Sequence, residues 1–221
     1  MLSTVLRSIA QEFSPAVLAS SLSAEDMVLT HAIASAGLPI GIFVLDTGRL
    51  NAETLNLISE VRRRYGIDVQ VFHPEKKSVD EYIAKHGRDA FYGSVELRKA
   101  CCGIRKVEPL RRALAGRAAW VTGLRREQSV TRTAVEVLEL DAAHGGIAKL
   151  NPLAAWTEAQ VWSYAREQDL PVNALHARGY PSIGCAPCTR AIAPGEDARA
   201  GRWWWESAEH KECGLHLGGG R

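Results

Sequence analysis

Five cysteines mark where this 221-residue chain could do chemistry: the adjacent pair Cys101 and Cys102, the spaced pair Cys185 and Cys188, and the isolated Cys213. Two close pairs and one lone thiol read as a metal or cluster site beside a separate reactive sulfur. Four thiolates are the ligand set of structural zinc or of an iron–sulfur cluster. Zinc usually takes two spaced pairs, because the intervening residues let both sulfurs turn inward. Adjacent cysteines face one small ion awkwardly, whereas a cluster spreads its iron atoms over a larger volume. A cluster is therefore the leading reading, with zinc and unliganded core thiols as alternatives. Cys185-Ala186-Pro187-Cys188 has a further reading as a thioredoxin-type redox pair. That motif normally opens a helix near the start of its domain, and here it follows Pro181 in a late loop. Cys213 is flanked by His210, Lys211 and His216. Nearby cations favour the thiolate, which is the nucleophile. On the bare sequence, an incidental exposed cysteine explains it equally well.

Hydrophobic periodicity supplies the elements that must hold these groups. The opening MLSTVLRSIAQEF reads as an amphipathic helix rather than a signal peptide. Residues 15–20 read as a buried strand, 24–36 as a helix ended by Gly37 and Pro39, and 40–45 as a continuous apolar strand. Asn51 can cap a helix that runs to Tyr65 and stops at Gly66, and residues 68–72 form a third strand. This alternation predicts an α/β fold: a Rossmann-like, mainly parallel sheet flanked by helices, with right-handed crossovers. Ligands then lie beyond the carboxyl ends of the strands, where the turns Ser20 to Ser23 and Asp46 to Arg49 fall. Further along, residues 76–86 and 96–114 read as helices, the second carrying Cys101 and Cys102 and broken or kinked at Pro109. Strands are expected at 118–122, 135–140 and 147–150. A helix at 157–169 opens with a capping box, Thr157 and Gln160. From Leu170 onward loop dominates, and GLHLGGGR reads as a flexible end.

A net charge of +2 argues against a general nucleic-acid binder but leaves room for a local anion pocket. No run approaches the roughly 18 apolar residues of a membrane span, so a cytoplasmic protein is expected. The turn Ser20-Ser21-Leu22-Ser23 leads into a helix N-terminus, a place that favours anions. Glu25 and Asp26 follow and serve equally well as plain dipole-complementing residues. His31, His73 and His144 are assigned no role. Trp203 to Trp205 cannot all be comfortably solvated; they dock the tail on the body or a neighbouring subunit, or they pack in the core.

The segments Cys101-Cys102-Gly103-Ile104-Arg105-Lys106, IGCAPCT and Glu212-Cys213-Gly214-Leu215-His216 resemble, in order, the motifs of the adenylyl-sulfate reductases. SSLSAEDMVL, LDTGRLNAET, TGLRREQSVTR and NPLAAWTEAQVWSY extend that resemblance over nearly the whole chain. It implies an adenine-nucleotide α-hydrolase-like fold, with residues 1–190 as a nucleotide- and cluster-binding domain and 191–221 as a tail carrying the catalytic cysteine. It implies one 4Fe–4S cluster per chain on Cys101, Cys102, Cys185 and Cys188, with Lys106 between cluster and substrate. The implied reaction is attack by Cys213 on adenylyl sulfate, release of AMP, and liberation of sulfite by an external dithiol, thioredoxin or glutaredoxin. The serine turn (Ser20, Ser21, Ser23, with Glu25 and Asp26) takes the place of the family's pyrophosphate-type loop, without the glycine-rich form of ATP-cleaving relatives. Leu45, Thr47 and Gly48 would read the adenine, and Gly123 and Arg132 would lie at ribose and phosphate. Arg199 and Arg202 would hold the sulfate, and His216 completes the binding set. An assembly of identical chains is expected. Two alternatives stand beside this reading: reduction of the 3′-phosphorylated substrate, alone or as well, and a non-catalytic metal-stabilised nucleotide-binding module.

Overall fold

We describe the chain from a computed structural model whose described residues are 2–129, 132–207, 211, 214 and 215. Six strands form one sheet in the order β3-β2-β1-β4-β6-β5, with β1 Ala16–Ser20, β2 Ile40–Leu45, β3 Val69–Phe72, β4 Ala119–Val121, β5 Leu138–Asp141 and β6 Ile147–Leu150. All neighbours are parallel except β5, which pairs antiparallel with β6 at the edge. The expected α/β class is the observed one. Its direction of winding reverses between β1 and β4, and the carboxyl ends of those two strands open the crevice where such sheets bind ligands.

Strand alternation sorts the core into two layers. Leu18, Ile42, Val44 and Val121 face one way, against helices α1 (Leu2–Glu12), α2 (Ala24–Ser35), α3 (Ala52–Tyr65) and α7 (Glu158–Glu167). Val17, Phe43 and Trp120 face the other way, against α6 (Glu108–Leu114), with Leu215 packed on the same cluster. Buried on both faces, the central strands are continuous apolar runs rather than alternating ones.

The structure departs from the sequence pattern at several places. Residues 96–114 do not form a helix broken or kinked at Pro109. After α4 (Lys76–His86), helix α5 (Val95–Cys102) passes into a π-helical turn, Gly103–Val107, and then into α6. Pro109 sits in the first turn of α6, where a missing N–H costs nothing. The wide turn falls on the residues that follow the adjacent cysteines, as π turns often do at functional sites. Asn51 precedes α3 but its side chain caps nothing; its carbonyl takes the first bonds. The capping box at Thr157 and Gln160 is present. The strand expected at 135–140 begins later, because Val135 turns into a small apolar cluster with Leu124 and Ala154.

The chain beyond Cys188 returns to the body. Thr189 bridges to Arg202, and the Trp203 amide donates to the Cys188 carbonyl at 3.1 Å. Trp203 is buried in the core, while Trp204 is partly exposed. Arg98, on α5, is fully buried and meets Glu206 in a two-bond ion pair at 2.9 and 2.8 Å, with its guanidinium over the Trp203 ring. A pair buried this deeply adds little against an apolar replacement, but removing one member strands a charge. Arg98→Leu is therefore expected to cost about 3–5 kcal/mol in urea unfolding, and the double variant Arg98→Met/Glu206→Leu much less. Equal losses in the single and double variants would contradict this.

Candidate active site

The four described cysteines line one small cavity, although they come from α5 and from a loop more than 80 residues later. The later loop is held by the Leu50 to Cys185 bridge, by the Ala186 amide on the Arg49 carbonyl (2.7 Å), and by the Tyr92 hydroxyl on the Pro187 carbonyl (2.7 Å). Thr47 Oγ1 lies 3.2 Å from Cys185 Sγ. Arg98, Arg105 and Lys106 line the same cavity. Burial pushes the Cys188 thiol up to about 12, with the neighbouring Cys185 adding to it. Burial also raises Cys101, against the opposing pull of Arg105. Thiols in such surroundings stay protonated unless an electrophilic centre takes the sulfur. Among the described residues no group of three or more His, Cys, Asp or Glu side chains is already drawn together around a metal ion. An all-sulfur donor set around a cavity, with cations behind it, fits an iron–sulfur cluster.

Beside it lies a larger cavity of about 240 Å³ at the crevice between β1 and β4. Ser20, Ser21, Ser23, Glu25, Asp26, Leu45 and Thr47 line it, as do Lys106, Gly123, Arg132, Arg199 and Arg202. Lys106 faces both cavities. Gly48 is not among the lining residues; its amide donates to Asp46 Oδ1, and its φ of 67° is left-handed backbone that favours glycine. Cys213 and His216 lie outside the described residues. Their neighbour Leu215 does line the cavity.

Hydrogen bonding separates groups that hold the cavity together from groups that face into it. Asp26 Oδ2 accepts from the Ser21 amide (2.7 Å), the Ser21 hydroxyl (2.6 Å) and the Ser23 hydroxyl (3.2 Å). The two hydroxyls thus donate inward, and Asp26 is the post around which the turn is wound. Its other oxygen abuts Gly123, where a Cβ would come within 2.4 Å. Leu22 takes φ 61° in this turn, a left-handed conformation that costs a non-glycine residue free energy. Glu25 is neutralised by the buried Arg125 at 2.9 Å and accepts from Gln128, which in turn accepts from Arg132. Glu25 therefore belongs to the wall. At the opposite side the Arg202 guanidinium donates to Ser182 and to the Ile183 carbonyl, and Gly184 leaves the room it occupies. Its buried Nε has no partner among the described residues. Arg199 donates to the Lys211 carbonyl at 2.9 Å. Arg125, Gln128 and His176 line the cavity but carry no role on sequence grounds. The first two lie inside TGLRREQSVTR; nothing in the sequence singles out His176.

Burial is the main cause that lifts the Asp26 carboxyl from its ordinary 3.8 to about 6, against the three donors that stabilise its charge. A carboxyl harder to ionise in the folded chain makes ionisation oppose folding. Its penalty is absent below about pH 4, grows between pH 4 and 6, and stays constant above, reaching about 3 kcal/mol. Asp26→Asn is expected to be more stable than the parent by up to that amount at pH 8, with the gap closing toward pH 4. Urea midpoints across that range measure it, and a gap that is constant or widens on acidification would contradict the assignment.

Comparison with known proteins agrees with this geometry. The sequence matches the Phosphoadenosine phosphosulfate reductase domain family over residues 15–191. It is 65% identical to an adenosine 5'-phosphosulfate reductase of Burkholderia cepacia, covering 98% of this chain and 86% of that one. It is 57% identical to one from Allochromatium vinosum, covering 96% and 82%. Among solved structures it resembles a phosphoadenylyl-sulfate reductase from Candida auris in complex with phosphate, with TM-score 0.74, 28% identity, and 86% and 90% covered. An FMN adenylyltransferase of Candida glabrata shares the fold at TM-score 0.58 and 17% identity, over 96% and 71%. Sheet order, crevice, clustered thiols and sequence together make this chain a member of the phosphoadenosine phosphosulfate reductase domain family.

Proposed function

We propose that this chain reduces adenylyl sulfate to sulfite and AMP, with Cys213 as the nucleophile and a 4Fe–4S cluster on Cys101, Cys102, Cys185 and Cys188. The observation that carries the reading is the position of Lys106, which lines both the thiol cavity and the large crevice cavity. The same crevice gathers Arg132 from one segment and Arg199 and Arg202 from another, a cationic set suited to a phosphate–sulfate anhydride. Held by those four cysteines, the cluster would supply a local charge distribution rather than a path for electrons. The sulfate-end cations, Lys106, Arg199 and Arg202, orient the anhydride and draw charge from the sulfur. The Cys213 thiolate attacks that sulfur, the S–O bond to phosphate breaks, and AMP leaves with the electron pair. The enzyme keeps a sulfonate on the Cys213 sulfur. A thiolate of thioredoxin or glutaredoxin then attacks the Cys213 sulfur and expels sulfite. The partner's second thiol resolves the mixed disulfide, so the two electrons come from the dithiol. The position of Leu215 in the cavity wall supports a tail that serves this site.

The 3′-phosphorylated substrate is the second reading, favoured by the structural likeness to a phosphoadenylyl-sulfate reductase. The higher identity to relatives named for the unphosphorylated substrate favours the first. Sulfite release with thioredoxin, measured with each nucleotide in turn, tests the choice. Cys213→Ser is expected to abolish sulfite release while still binding AMP, and a variant that still made sulfite would sink the mechanism. Lys106→Ala is expected to lower kcat/KM by roughly 10²-fold with the visible absorbance of the protein retained. Cys185→Ser is expected to lose that absorbance.

A further inference from the structure

One buried atom in the wall of the large cavity is held firmly in place and has no hydrogen-bond partner among the described residues. His176 lines that cavity. Its Nδ1 lies 2.9 Å from the carbonyl oxygen of Tyr180. A carbonyl only accepts, so Nδ1 carries a hydrogen. Burial lowers the pKa of the ring, which keeps it neutral. A neutral imidazole protonated at Nδ1 offers a lone pair at Nε2. That Nε2 is buried and has no hydrogen-bond partner among the described residues. Buried polar atoms are nearly always satisfied, and an unmatched acceptor in a cavity wall calls for a donor on the ligand.

The ring cannot easily turn elsewhere. Trp162 meets it edge-on at 5.1 Å and 87°. The backbone around it is closed by bonds from His176 to Asn173, from Gly179 to His176 and from Tyr180 to Leu175. Asn173 is itself buried, donating to Thr54 Oγ1 at 2.8 Å and accepting from the Leu175 amide. This places the His176 turn against the start of α3, and Thr54 lines the same cavity.

Resting on the nucleotide reading of this cavity, we propose that His176 Nε2 accepts a hydrogen bond from a neutral donor of the nucleoside, either the 6-amino group of adenine or a ribose hydroxyl. The phosphate and sulfate oxygens are themselves acceptors and cannot satisfy it. His176 is thus a nucleoside-recognition residue, distinct from the cations that hold the anhydride.

Equilibrium binding to the holoenzyme tests this with four probes: AMP, purine riboside 5′-phosphate (which lacks the amino group), 2′-deoxy-AMP and 3′-deoxy-AMP. His176→Ala is expected to weaken AMP roughly tenfold. His176→Gln, whose amide oxygen reaches about the place of Nε2, is expected to recover most of that loss. One of the three analogues should bind the parent and His176→Ala equally, and that analogue identifies the donor. A general loosening of the loop weakens all four nucleotides together, so a uniform loss overturns the proposal, as does no loss at all. Failure of the unaltered protein to bind AMP overturns instead the nucleotide reading on which it rests.

Discussion

Four thiols from two distant segments must face one cavity, and much of the local architecture answers to that constraint. Helix α5 brings Cys101 and Cys102, and the loop that carries Cys185 and Cys188 is tied to it only through long-range bonds. Thr47 and Arg49 hold the loop from the end of β2, Tyr92 holds it from below, and Trp203 closes over its last carbonyl. The Arg98–Glu206 pair fastens the returning chain to the same helix. The π turn after Cys102 carries Lys106, which lines both the thiol cavity and the crevice cavity. The thiol site and the crevice are therefore neighbours through one helix, and the chemistry proposed for the chain depends on that adjacency.

The crevice carries costs that a purely structural cavity would not. Asp26 is buried as a carboxylate, Leu22 holds a left-handed backbone, and Arg202 keeps a buried donor without a partner among the described residues. Each opposes stability by an amount of order 1–3 kcal/mol. Strain and unmatched polar groups gathered around one cavity suit a preorganised anion site, because the protein orders its dipoles before the ligand arrives.

The β1-α2-β2-α3-β3 run was legible because its central strands are apolar on both faces and its helices end at Gly37 and Gly66. Cysteine spacing located the thiol site for the same reason: sulfur has few structural uses in such a grouping. Most residues expected at the substrate do line one cavity, although Gly48 is not among them. What sequence could not show is pairing across long separations. Arg98 and Glu206 look like two ordinary surface charges until the fold buries them together. Arg125 reads as one basic residue among several in its motif, yet it is the partner that neutralises Glu25. His176 lies in a loop of mixed composition, and its meaning arises only from the Tyr180 carbonyl and the cavity beyond it. The π turn was also invisible, since Pro109 drew the expected irregularity six residues too late, counted from the first residue of that turn.

The central claim is that the clustered thiols hold an iron–sulfur group beside the nucleotide crevice. Metal and acid-labile sulfide analysis of protein purified without oxygen tests it most directly. The account predicts about four iron atoms and about four sulfides per chain, with broad visible absorbance. One zinc per chain, with neither iron nor sulfide, would contradict it.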